Sequence, residues 1–121
     1  MKLPNVENVV IDVAKIRDYC LNPDHREGKH KARVFLATLG ITRDDAEELR
    51  RRILEAVGSA DAFERDPSPY GRRLTVDVQI VWPQKFVLCS AVVRTAWIIR
   101  NDEDFARLAS CYILKGVDKD G

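Results

Sequence analysis

Leu74, Val76, Val78, Ile80 and Trp82 alternate without a break with Arg73, Thr75, Asp77 and Gln79. A period of two is that of a β-strand, whose successive side chains point to opposite faces, so this stretch has one dry face and one wet face. Such a strand needs partner strands and an apolar layer to cover its dry side. Pro83-Gln84-Lys85 is short enough for a hairpin loop. Phe86 to Arg100 then returns as the longest extended candidate, apolar on both faces apart from Ser90, Arg94 and Thr95, as expected for a central strand. Asn101-Asp102-Glu103-Asp104 turns the chain, and Arg107 to Leu114 supplies a last strand. Upstream, Asp66-Pro67-Ser68-Pro69-Tyr70-Gly71 reads as a turn cluster in front of the first strand.

The first half of the chain follows a different period. Val9-Val10-Ile11 is a short β-branched run, an edge strand or a packed lead-in, and Asp12 after it is a good N-cap. Val13, Ile16, Cys20 and Leu21 form the buried stripe of a first helix that Asn22-Pro23 stops, because the residue before proline is pushed out of the α region. Ala32, Phe35, Leu36 and Leu39 form the stripe of a second helix, with Gly40 placed as its left-handed cap. Thr42 with Asp45 is a shortened capping box for a third, in which Ala46, Leu49, Ile53, Ala56 and Val57 face inward and Gly58 ends the helix. Glu47 with Arg51 and Glu48 with Arg52 are spaced as ion pairs on its exposed side. The run Arg50-Arg51-Arg52 follows four acids on the same helix and reads as a solvated face.

Helices first, then an antiparallel meander, without strand–helix–strand alternation, define an α+β domain: about three N-terminal helices on a C-terminal sheet of roughly three to five strands. Residues 1–115 form that single domain and 116–121 a frayed polar tail. Twenty basic against nineteen acidic side chains exclude a protein that wraps nucleic acid through bulk charge, while a local basic patch stays open. No apolar run approaches the roughly 20 residues of a membrane span, and no secretory leader is evident, so no membrane role and a cytoplasmic location are expected. Cys20, Cys89 and Cys111 are widely spaced in apolar patterns, which predicts buried thiols, neither a zinc site nor a disulfide framework.

Chemistry points to the connection between the first two helices. It holds both histidines, His25 and His30, and opens the second helix on Lys29, His30 and Lys31, although helix N-termini prefer acids. Gly28 followed by a helix start is an anion-binding arrangement that the lysines would strengthen; the alternative is that Asp24 and Glu27 neutralise the cluster. The histidines are five apart rather than i,i+4, with no carboxylate-rich partner, so no metal and no cofactor is expected. Either imidazole is a candidate general acid or base near neutral pH. A second constellation lies on the strands: Arg94-Thr95 in the central one, Ser110 and Tyr112 on the last. A guanidinium beside hydroxyls suits a phosphodiester, with Asp77 as the alternative, structural partner for Arg94.

The set Leu3-Pro4-Asn5, Leu21-Asn22-Pro23, His25, Gly28, Lys31-Ala32, Phe35, Leu39-Gly40, Tyr70-Gly71, Thr95-Ala96-Trp97-Ile98, Arg107-Leu108 and Tyr112 resembles a small bacterial domain of unknown function, found alone and as the tail of larger proteins. The layout is similar to that of compact toxin ribonucleases of the barnase, colicin and RelE type, which cleave RNA without metal by activating the 2′-hydroxyl. The resemblance implies His25 or His30 as the proton-transfer group and Lys31 with Arg94 on the phosphate. Thr95, Ser110 or Tyr112 would orient it. Ser110 stands where that pattern has threonine, and Ile113 where it has proline. Two functions follow as expectations: a metal-independent ribonuclease or phosphodiester-binding domain whose partner is RNA, or a non-catalytic module pairing with a small protein encoded nearby. The first requires a histidine to share a concave surface with Arg94 and Tyr112.

Overall fold

The computed structural model describes residues 1–114, so the tail expected over 116–121 lies outside the described residues. A 3-10 turn (Val6–Asn8) and three helices precede a four-stranded antiparallel sheet of order β1-β2-β3-β4, comprising β1 (Ala62–Ser68), β2 (Gly71–Gln84), β3 (Val87–Arg100) and β4 (Arg107–Ile113). The α+β layout expected from the two periods is the one observed. Helix α1 (Val13–Lys15) begins where the Asp12 side chain accepts the Ala14 amide, then widens into a π turn over Ile16–Cys20, closed by Leu21 N–H donating to the Ile16 carbonyl at 2.8 Å. Helix α2 (Lys29–Leu39) ends on Gly40 at φ 72°, as its spacing predicted. The Thr42–Asp45 capping box leads a 3-10 turn (Arg43–Asp45) into α3 (Ala46–Val57).

One core joins the two layers. The dry side of β2, from Leu74 to Trp82, meets Ile16, Phe35, Leu39, Leu49, Ile53 and Val57 from the helices, and Val93 and Trp97 of β3 complete it. Among the described residues Thr95 is the one buried polar side chain; its hydroxyl donates to the Val76 carbonyl and accepts from Trp97 Nε1, both at 2.7 Å. Its hydrogen-bonding capacity is thereby satisfied inside the core.

Local readings change in five places. Leu36, expected in the buried stripe of α2, is 56% exposed, so that stripe is Ala32, Phe35 and Leu39. Ala62–Ser68 is a strand, not the approach to a turn: five of its seven residues are exposed, so it shows no two-sided alternation, and charges with Pro67 mark it as a blunted sheet edge. Pro83 and Gln84 pair with Leu88 and Val87, which shortens the β2–β3 turn to Lys85-Phe86, with Lys85 at φ 43°. Arg51 pairs with Glu48 and Glu55 rather than Glu47, because Glu48 also reaches Arg52 and gathers both guanidinia. Cys89 is half-buried, whereas Cys20 and Cys111 are buried as expected.

The β4 edge is covered at both ends. Val10 bridges Arg107 in parallel, its amide donating to Ala106 and its carbonyl accepting from Leu108. Farther along, the Cys111 amide donates to Cys20 Sγ at 3.3 Å. Val10, ahead of α1, and Cys20, at the end of the π turn, therefore satisfy parts of the edge that the last strand would otherwise leave open.

Candidate functional site

The start of α2 is held by His25 and Gly28. His25 Nδ1 accepts the amides of Glu27 and Gly28 at 3.0 and 2.9 Å, while the His25 carbonyl accepts the Lys29 amide at 3.0 Å. A neutral ring with Nδ1 so occupied carries its proton on Nε2, which leaves His25 no free lone pair to act as a base. Its ring packs edge-on against Tyr19 at 4.8 Å between centroids. Gly28 lies where any Cβ would stand 2.0 Å from the Tyr19 carbonyl oxygen. Its absence of a side chain is what lets α2 start against the π turn.

Lys31 projects from that start to the other side. Its Nζ donates to the Tyr19 hydroxyl at 3.0 Å and lies 4.9 Å from the centre of the Tyr19 ring and 5.9 Å from that of Tyr112. Burial opposes the Lys31 charge, but the Tyr19 hydroxyl and the neighbouring thiol and tyrosines outweigh it and raise the pKa above the ordinary lysine value. His30, Lys31, Val34, Tyr112 and Ile113 line a shallow cavity of about 290 Å³. Tyr112 faces Arg94 directly in the β3–β4 register. Arg94 donates to both Asp77 carboxylate oxygens, at 2.8 and 2.9 Å, and its pKa is raised first by those bonds and, to a smaller extent, by Tyr112. The structural partner anticipated for Arg94 is thus present.

The predicted residues therefore divide. His30, Lys31 and Tyr112 share a concave surface, Arg94 stands beside Tyr112, and Gly28 shapes the helix start beneath them. His25 acts through backbone caps, and Thr95 faces the core. Lys29 lines a different cleft, on the far side of α2. Ser110 is half-buried with its Oγ 3.9 Å from Cys20 Sγ. Sequence reasoning passed over Tyr19, Cys20 and Cys111. The Cys111 side chain, then its amide, Ser110 and the Lys31 charge, draw the Cys20 thiol below its ordinary value against burial, while the Cys111 thiol is pushed up. Nothing in the primary pattern signals this grouping, since the π turn that delivers Tyr19 and Cys20 has no composition of its own. Among the described residues, no three His, Cys, Asp or Glu side chains are grouped for a metal ion.

Fold and site together define a small α+β domain with a cationic, tyrosine-walled hollow where its second helix meets its last strand. The chain belongs to the domain of unknown function family DUF6883, whose family model matches residues 2–115. No curated protein and no solved structure matches the chain. No helix among the described residues is long and apolar enough to cross a membrane.

Proposed function

We propose that the domain binds RNA phosphodiesters and cleaves them without a metal in the hollow between α2 and β4. The observation that supports this most is that His30, Lys31 and Tyr112 line one cavity, with Arg94 beside Tyr112. Transesterification by the 2′-hydroxyl forms a bond from O2′ to phosphorus and breaks the bond to O5′. It needs a base for the first oxygen, an acid for the second and cations for the phosphoryl oxygens between them. His30 takes the proton from O2′, its ring being outside the cap that occupies His25. Lys31 and the Arg94 guanidinium hold the phosphoryl oxygens, and the Tyr112 hydroxyl protonates O5′. Asp77 fixes the guanidinium plane, as a bidentate carboxylate does.

The test uses purified protein, a short RNA and EDTA. Cleavage leaving a 2′,3′-cyclic phosphate is expected, with His30→Ala and Lys31→Ala each slowing it by about a hundredfold or more. Wild-type protein without activity, or variants that cleave as fast as wild type, would end this reading.

A second reading, a non-catalytic module that pairs with a small neighbouring-gene protein, is favoured by the β2–β3 hairpin tip. There Phe86, Val87 and Leu88 are 99%, 61% and 73% exposed, a run of apolar side chains without cover. Co-expression with that neighbouring protein should yield a complex which Phe86→Asp disrupts; separate elution of the two proteins would count against it.

A further inference from the structure

Lys29 and Arg33 open away from the hollow described above, into a cleft of about 380 Å³ whose floor is Leu21, Ala32 and Ile41. The floor residues are 2%, 5% and 1% exposed, whereas Leu36 on the wall is 56% exposed. Lys29, Ala32, Arg33 and Leu36 recur at i, i+3, i+4 and i+7, which puts two cations and two apolar side chains on one face of α2. The opposite wall is the turn leading into α3, where Arg43 donates to the Asp18 carboxylate at 2.8 Å and Asp44 is the one acid of the lining. Neither Lys29 nor Arg33 has an ion-pair partner among the described residues. An apolar floor under two cations without ion-pair partners matches a ligand with an aliphatic body and an anionic head, and the volume lies in the range of small-molecule sites, about 300 to 1,000 Å³.

We infer that this cleft is a binding site for a small amphipathic carboxylate, its chain on Leu21, Ala32 and Ile41 and its head between Lys29 and Arg33. The site is independent of the proposed RNA chemistry, because positions 29 and 33 lie on a different face of α2 from 30, 31 and 34. The charge excess selects the head, and the buried floor selects the chain; acetate offers only the first and octanol only the second.

The experiment is a titration of the isotope-labelled protein followed by amide chemical shifts. Octanoate should give saturable shifts at Ala32, Leu36 and Ile41, with octanol binding at least about fivefold more weakly and acetate giving none at the floor. Lys29→Ala and Arg33→Ala should each weaken octanoate by about fivefold, and Arg33→Glu by more, with unchanged amide dispersion elsewhere showing that the fold is retained. Leu36→Asp, at an exposed position, should abolish it. No saturable response at those amides overturns the inference. So does equal affinity for octanol and octanoate, insensitivity to Arg33→Glu, or binding only of an acidic peptide with an aliphatic anchor.

Discussion

Replacing Gly28 by alanine tests whether the start of α2 is fixed by a close approach rather than by backbone freedom. Gly28 has φ −86° and ψ −10°, a right-handed conformation that alanine adopts without strain. At such positions Gly→Ala stabilises by about 0.4 to 1 kcal/mol through the unfolded chain. The poorer capping of alanine removes several tenths of that, so the backbone contributions nearly cancel. What remains is the collision: the new Cβ would lie 2.0 Å from the Tyr19 carbonyl oxygen, 2.9 Å from its carbon and 3.0 Å from Cδ1. Reaching an ordinary carbon–oxygen contact near 3.3 Å requires a shift of about 1.3 Å between the π turn and α2. A shift of that size strains the two amide bonds to His25 Nδ1 and moves Lys31 off Tyr19. Overpacking with partial loss of those bonds costs about 3 kcal/mol. With a urea m-value of about 2 kcal/mol/M, the unfolding midpoint should fall by about 1.5 M. Gly58→Ala is the control, since its Cβ meets nothing nearer than Val6 Cγ2 at 3.9 Å and φ is right-handed there too. It should be neutral or stabilising by up to about 1 kcal/mol. A Gly28→Ala midpoint at or above wild type would refute the close-approach reasoning, whatever Gly58→Ala does.

Three further outcomes are expected. The Arg94 and Asp77 side chains are 28% and 29% exposed, between surface and core. Each single alanine variant should cost about 1 to 3 kcal/mol, and a double-mutant cycle in urea should show about 1 to 2 kcal/mol of coupling, additivity being the contrary result. Arg17 first, then Arg43, hold the Asp18 carboxyl down to about 2, and Arg51 then Arg52 do the same for Glu48. Both folded-state values are depressed, so their contribution is complete above the ordinary carboxylate range and is lost as pH falls toward 2. The low-salt unfolding midpoint should drop across that window and 1 M salt should flatten the drop; a pH-independent midpoint there would be contrary. Finally, an aromatic disulfide reagent should titrate the half-buried Cys89 in the native protein, and Cys20 and Cys111 only after unfolding. Rapid native reaction of all three thiols would show that the Cys20–Cys111 contact opens readily.

The elements that periodicity described are those with a single buried face. The 74–82 alternation, the α2 stripe ending at Gly40 and the Thr42–Asp45 box were legible because each depends on neighbours within a few residues. Edge strand β1 was not, because a strand wet on almost all sides carries no alternation. The hollow was legible only as parts. Lys31 and Tyr112 could be singled out separately, but their meeting depends on the β3–β4 register and on how the π turn seats Tyr19 against Gly28, neither of which leaves a local pattern. The two histidines show the same limit most clearly. In sequence they are equivalent imidazoles in a basic loop, and the wider resemblance favoured His25. The geometry separates them through one lone pair: His25 Nδ1 is occupied by the Glu27 and Gly28 amides, whereas His30 lies one residue before Lys31 in the lining of the cavity. In the proposed chemistry the base at this hollow is therefore His30, while His25 makes the helix start on which His30 is carried.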